Sequence, residues 1–139
     1  MDKKRLEDYR SNKEEIRELQ YKLNHLGDGD SMIGNSVILD GTTGYPRPQS
    51  IVGYDRAKHS RLYERYTKRI AQLQKECEEV ELWIESIPDG LTRRIFRMYF
   101  VEGLTMQKIG NKVHMDKSNV SRKIDNYIKV ATNATNATL

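Results

Sequence analysis

Apolar residues recur at helical intervals in two long stretches of this chain, and a segment rich in Gly and Pro separates them. In the first stretch, large apolar side chains follow one another at steps of three, four or seven residues from Leu6 to Leu26, in a charged background without Gly or Pro. This periodicity predicts an amphipathic helix over residues 3–26, ended by Gly27 and Gly29. The Gly and Pro content of residues from about 27 to 55 predicts a long connection or flexible arm.

The second stretch carries the most regular apolar pattern of the chain, which we call the seam. Its members recur at alternating steps of four and three residues: Tyr66, Ile70, Leu73, Cys77, Val80, Ile84 and Ile87. Such a repeat predicts a left-handed coiled coil, formed either with residues 3–26 of the same chain or with a second copy of the same helix. We expect a homodimer through residues 66–87, with the pairing inside one chain as the alternative.

The charges of this second helix are polarised along its length. Lys and Arg occupy positions 56, 58, 61, 65, 68 and 69, whereas Glu occupies positions 76, 78, 79, 81 and 85. An antiparallel partner would bring unlike charges together, which favours antiparallel over parallel self-pairing. The alternative interpretation is that both halves are solvated outer faces.

Pro88, Asp89 and Gly90 end the long helix, and three short helical segments are predicted beyond them. They run from Leu91 to about Val101, from Thr105 to Val113 and from Lys117 to Val130. Thr105 and Asp116 are predicted N-caps of the second and third segments. The predicted inner faces are Met106, Ile109 and Val113 in the second segment and Val120, Ile124 and Ile128 in the third.

Two features of the last two segments indicate helices that cross closely. Gly110 lies on the predicted inner side, where the lack of a side chain lets a second helix approach. With Val120 and Ile124 inward, the opposite arc of the third segment holds Ser118, Arg122, Asn126 and Lys129, flanked by Asn119 and Ser121. These side-chain types bind base edges or phosphates, so the arc is a candidate DNA contact surface.

The charge distribution points to the same region. Residues 89–130 hold nine Lys/Arg against four Asp/Glu, a local charge of +5, whereas the whole chain has a net charge of +4. A basic module on a nearly neutral remainder is typical of proteins that bind the phosphate backbone of nucleic acids. Residues 131–139 repeat Ala, Thr and Asn, and we expect them to form a disordered tail.

Other classes of function find little support in the sequence. The single cysteine, Cys77, allows no intramolecular disulfide, and His25, His59 and His114 are too far apart in sequence for a metal-binding motif. We therefore expect no enzyme, no cofactor and no metal. No apolar run is long enough to span a membrane and no secretory signal is present, so we expect a cytoplasmic protein without a membrane partner.

Residues Leu91 to Ile128 resemble the region 4 helix-turn-helix of bacterial sigma factors. The resemblance rests mainly on Tyr99–Gly110 and Met115–Ile124. It implies that Lys117, Ser118, Ser121 and Arg122 contact bases or adjacent phosphates, with Gln107 and Lys108 near the backbone on the supporting helix. His114 stands where that family usually has Gly in the turn, and it must therefore adopt a backbone conformation that suits Gly better.

The whole chain is similar to the phage-encoded RinA/ArpU-type late transcriptional regulators. This similarity implies a late-gene activator in a bacterial host cell that binds double-stranded DNA, with RNA polymerase as a further candidate partner. The expected fold is all-α, with an N-terminal helical hairpin or coiled coil (1–87), a three-helix helix-turn-helix domain (88–130) and the tail. The expected DNA-binding residues are Gln107, Lys108, Lys117, Ser118, Asn119, Ser121, Arg122 and Asn126. Alternative functions are a small terminase-like packaging protein and a coiled-coil adaptor or anti-sigma protein.

Overall fold

A computed structural model describes residues 1–27 and 47–138 of the chain, and all regular elements in these residues are helical. In chain order they are α1 (Lys3–Asn24), α2 (Arg47–Glu85), α3 (Gly90–Phe96), a π-helical turn (Arg97–Val101), α4 (Met106–Val113) and α5 (Lys117–Thr138). The prediction of an all-α chain is confirmed for this part of the sequence. None of its helices is long and apolar enough to cross a membrane.

Two compact units divide the chain, and the division falls within helices. Unit 1 contains Met1–Lys13 and Gln74–Leu139, and unit 2 contains Glu14–Leu73. The end of α2, residues 74–85, therefore belongs with the C-terminal helices, whereas the sequence places a domain boundary between residues 87 and 88.

Two predicted element bounds need correction. The Gly/Pro-rich connection was expected to continue to about residue 55, yet α2 begins at Arg47. Pro48 lies in its first turn, where a missing backbone N–H breaks no helical hydrogen bond. Residues 28–46 of the predicted connection lie outside the described residues. The tail expected at 131–139 is also helical as far as Thr138, since α5 continues through alanines and contains neither Gly nor Pro.

In unit 1, the start of α1 packs against the second half of α2. Leu6 and Tyr9 are buried together with the seam residues Cys77, Val80, Ile84 and Ile87. Polar contacts fix the approach of the two helices: the Arg5 guanidinium binds the Glu79 carboxylate at 2.5 Å, and the Tyr9 hydroxyl donates to Glu81 at 2.6 Å. Burial, with the hydrogen bond to Glu81, raises the pKa of Tyr9 well above its ordinary value of 10. The predicted complementarity of charge is thus realised within one chain.

In unit 2, the rest of α1 and the first part of α2 bury apolar residues. Ile16, Leu26, Ile70 and Leu73 are buried there, and Tyr66 is half-buried. The Arg69 guanidinium forms an ion pair with Glu15 at 3.4 Å. In both units, therefore, seam residues are covered within a single chain. The homodimer expected through residues 66–87 stays a prediction, and Leu82 in this range is 57% exposed.

An aromatic cluster connects the C-terminal helices of unit 1 to the end of α2. Phe96 is fully buried, and its ring centroid lies 5.8 Å from that of Trp83, 5.5 Å from that of Phe100 and 5.4 Å from that of Tyr127. Trp83 and Tyr127 also meet edge to face at 5.9 Å. Such tilted and edge-to-face pairs contribute beyond the burial of their area. The cluster gives α5 a fixed position on α3 and the end of α2.

Candidate nucleic-acid interface

Helix α3 begins at a cap that sequence analysis treated only as a chain break. The Asp89 carboxylate accepts hydrogen bonds from the backbone N–H of Thr92 at 2.9 Å and from its hydroxyl at 2.6 Å. These bonds lower the pKa of Asp89 below its ordinary value of 3.8. Arg93 donates to the Ile87 carbonyl at 2.8 Å, so this cation holds the chain between α2 and α3. An Asp three residues before a Thr was the available sequence signal for the cap.

The other end of this segment closes on a glycine. The Glu102 N–H donates to the Arg97 carbonyl at 3.0 Å, a spacing of five residues that defines the π-helical turn. The Leu104 N–H then donates to the Met98 carbonyl at 2.9 Å, and Gly103 has a φ of 75°. A glycine in the left-handed conformation is a common end for a helix, and here it directs the chain into α4.

Helix α4 starts at its predicted cap, and its predicted inner face is buried in part. The Thr105 hydroxyl accepts from the Lys108 N–H at 3.2 Å, which confirms the predicted N-cap. Ile109 and Gly110 are buried, while Met106 and Val113 are half-buried. Gln107 and Lys108 are exposed on the outer side, where Gln107 donates to Asn111 at 3.4 Å.

The turn between α4 and α5 consists of residues 114–116 and is tightly bonded to the end of α4. His114 has φ 59° and ψ 47°, the only non-glycine positive φ among the described residues, as its place in the turn predicts. The Met115 N–H donates to the Gly110 carbonyl at 2.9 Å. A Cβ atom on Gly110 would collide with the Met115 carbonyl oxygen, so the close approach depends on glycine.

Helix α5 follows at once and buries one side only. The Asp116 backbone carbonyl accepts from the N–H groups of Asn119 and Val120, at 2.9 and 3.0 Å. Val120, Ile124 and Ile128 have exposed fractions of 0%, 1% and 9%, which confirms the predicted inner face. The direction of the opposite, solvent-facing arc is therefore fixed by packing.

The predicted DNA-binding residues lie mainly on this solvent-facing side of α5. Five of the six on this helix are exposed: Lys117, Ser118, Asn119, Arg122 and Asn126. Ser121 is half-buried, because its position is rotated toward the inner face. Lys129 is exposed as well and extends the polar arc. The structure thus brings the predicted set together on α5, with Gln107 and Lys108 exposed on the preceding helix.

One acidic residue borders the arc, and its partner comes from the other end of the chain. Lys3 in α1 forms an ion pair with Asp125 in α5 at 3.1 Å. The hydrogen bond to Asp125 raises the pKa of Lys3 above its ordinary value of 10.5. The cation thus offsets the negative charge of the carboxylate that borders the arc. Sequence reasoning missed this pair because 122 positions separate its members.

The described residues contain no group of three or more His, Cys, Asp or Glu side chains able to hold a metal ion. Cys77 is buried, and burial raises the pKa of its thiol. Comparisons with protein-family models, with curated proteins and with solved structures find no match for this chain.

Proposed function

We propose that this chain is a sequence-specific double-stranded DNA-binding transcriptional regulator. In this proposal α3, α4 and α5 form a helix-turn-helix domain and α5 is its recognition helix. The observation that carries the proposal is the solvent-facing arc of α5, where polar and basic side chains are exposed while the opposite side is locked into the core.

The chemistry of the arc suits duplex DNA. An α-helix fits the major groove, which is about 12 Å wide, and presents one side to the base edges. Arg122 suits the two acceptors of guanine, Asn126 suits adenine, and Ser118 accepts or donates to several bases. Lys117 and Lys129 supply phosphate contacts at either end. The hydroxyl of the half-buried Ser121 is less accessible to DNA than the other side chains of the set.

The preceding helix supports α5 in two ways. Gly110 allows the turn to lie close against α4, which sets the angle at which α5 leaves the core. Gln107 and Lys108 are exposed near the start of α4, where we propose that they contact the phosphate backbone. Together with the local charge of +5 in residues 89–130, these contacts would position the recognition helix.

The N-terminal helices have a supporting role in this proposal. We infer that α1 and α2 form an antiparallel hairpin, since α1 supplies charged partners to α2 in both units. The hairpin occupies the seam, so operator binding by the single chain is the simplest case. Activation of phage late genes and contact with RNA polymerase are the specific form of this function that the sequence resemblance implies.

The proposal is tested by selecting bound fragments from genomic or random duplex DNA with the wild-type protein and with Arg122→Ala. A bidentate contact from Arg122 is worth roughly 1–3 kcal/mol of discrimination, so the variant should lose between about fivefold and 150-fold of its preference. Arg94→Ala is the matched control, because it removes the same charge from an exposed position on α3. Absence of duplex binding by the wild-type protein contradicts the function. Unchanged preference in Arg122→Ala contradicts the assignment of the arc.

A further inference from the structure

A second basic surface lies on α2 within unit 2. Lys58, Arg61, Arg65 and Lys68 follow one another at steps of three, four and three residues, so they share one face of the helix. At 1.5 Å per residue this basic stripe is about 15 Å long. All four residues are exposed. The stripe is separate from the α5 arc, and the proposed function does not use it.

Most of the stripe takes no part in holding the described fold. Lys68 forms an ion pair with Glu64 at 3.1 Å, but this pair is local to one turn of α2 and its side chains are 76% and 68% exposed. Arg69, which does pair with α1, lies beside the stripe and outside it. Within residues 1–27 and 56–134, neither an ion pair nor a hydrogen bond engages Lys58, Arg61 or Arg65.

The stripe carries a local electrostatic cost. Arg61 and Arg65 are four residues apart on the same face, and like charges at this spacing destabilise a helix. The acidic half of α2 behaves differently, because Glu79 and Glu81 have basic partners in α1. A partner that carries regularly spaced negative charge would convert the repulsion within the stripe into attraction.

The surroundings of the stripe indicate which anionic partner fits. A membrane-binding amphipathic helix needs a free apolar face beside its basic one. Here most of the apolar side of this part of α2 is already in the core of unit 2, with Ile70 and Leu73 buried and Tyr66 half-buried. Among residues 56–73, Tyr63 is the one large apolar side chain that is exposed, at 52%. Protein interfaces are depleted in Lys and enriched in aromatic residues, Met and Arg, whereas two of the four stripe residues are Lys and none is apolar or aromatic. A phosphate backbone requires neither feature.

We propose that the basic stripe is a sequence-independent contact surface for the phosphate backbone of duplex DNA. This inference rests on the proposed function, because the partner is the same polymer. It adds a second contact surface, carried by unit 2, to the one that distinguishes sequences. The stripe supplies affinity that depends on salt concentration, and the α5 arc supplies preference among sequences.

The test compares two full-length triple variants on a mixed-sequence duplex at several salt concentrations. The stripe variant is Lys58→Gln with Arg61→Gln and Arg65→Gln, and the control is Lys4→Gln with Arg17→Gln and Lys22→Gln on α1. All six positions are exposed, and Gln is nearly as good a helix former as Lys or Arg. Each lost phosphate contact reduces the slope of log affinity against log salt by about 0.9, so the stripe variant should lose up to about 3 in slope. The control should keep the wild-type slope.

Each outcome separates the two proposals. If the wild-type protein does not bind any duplex, both the proposed function and the stripe proposal are overturned. A stripe variant with the wild-type slope, alongside an Arg122→Ala variant that has lost its preference, overturns the stripe proposal alone. Equal losses in the stripe variant and the control show an effect of net charge and also overturn it. The stripe proposal is also overturned if the stripe variant loses binding to phosphatidylserine vesicles while its binding to DNA is unchanged. If the triple variant has an altered circular dichroism melt, single Arg61→Gln should reduce the slope by about 1.

Discussion

Replacing Gly110 by Ala tests the geometry on which the placement of α5 depends. Gly110 is buried in α4, and a Cβ atom there would collide with the Met115 carbonyl oxygen and lie 3.5 Å from the Lys117 backbone nitrogen. The carbonyl belongs to the main chain and cannot rotate away as a flexible side chain would. The Met115 N–H also donates to the Gly110 carbonyl at 2.9 Å, so the two residues are held together.

Two opposing effects decide the magnitude. Ala is more favourable than Gly in a helix interior by about 0.8–1 kcal/mol. Overpacking costs typically about 1–3 kcal/mol, and a collision with backbone falls in the upper part of that range. The difference is a net loss of about 1–2 kcal/mol in the free energy of unfolding. For a domain of this size each kcal/mol corresponds to about 4–8 °C in Tm, so Tm should fall by roughly 4–16 °C.

The assay is thermal and urea unfolding followed by circular dichroism, with Gly90→Ala as the matched control. Gly90 is also helical and lies in the same unit, but the nearest atom to its added Cβ is the end of the Arg93 side chain at 3.6 Å, an ordinary contact. Because Gly has the more flexible unfolded chain, Gly90→Ala should leave stability unchanged or raise it by up to about 1 kcal/mol. A Gly110→Ala protein at least as stable as the wild type would refute the close approach, since helix propensity alone would then explain both variants.

Three further substitutions examine the same domain. Val120→Asp places an unpaired carboxylate at a position with 0% exposure, which costs several kcal/mol, and the melting transition of unit 1 should disappear; an unchanged transition would mean that α5 is rotated from this position. Asp89→Ala removes the cap of α3 and should lower Tm at neutral pH, whereas Asp89→Asn should lower it less. The pKa of Asp89 in the folded protein lies below 3.8, so the charged carboxylate stabilises the fold above that pH. This stabilisation is lost as pH falls through the folded pKa, and the Tm of Asp89→Ala should therefore approach that of the wild type in acid. His114→Gly relieves a left-handed conformation that costs an L-residue about 1–2 kcal/mol, but it also makes the unfolded chain more flexible, which costs about 0.5–1 kcal/mol of stability. We therefore expect equal or slightly higher stability, and a clear loss in urea unfolding would mean that the His114 side chain makes a stabilising contact.

The elements next to the candidate interface were determined locally, and sequence reasoning identified them. The Thr105 hydroxyl needs only the N–H group three residues later, and a cap of this kind is visible in the sequence. The inner face of α5 follows from the four-residue spacing of Val120, Ile124 and Ile128. The positive φ of His114 follows from its position at the end of α4, where the chain must turn.

Element bounds depended on weaker signals. Gly and Pro favour a break, yet a Pro in the first turn of a helix is tolerated, and the sequence therefore placed the start of α2 too late. The Ala, Thr and Asn repeat lacks an apolar stripe, yet it also lacks a helix breaker, and α5 continues through it. Apolar periodicity arises because one face of a helix is buried, so it cannot predict a helix that buries no face.

The sequence by itself determined that the chain is helical where it is described, which side of each helix is apolar, and where its basic residues lie. Only the tertiary structure decided what each apolar side meets. A heptad seam must pack against another apolar helix face, and the sequence pattern is equally compatible with α1 of the same chain and with α2 of a second copy. The contact of the Cys77 thiol with the Tyr9 carbonyl, and the pairing of Lys3 with Asp125, join residues far apart in sequence. Local spacing carries no information about such contacts, because they depend on the path of the whole chain.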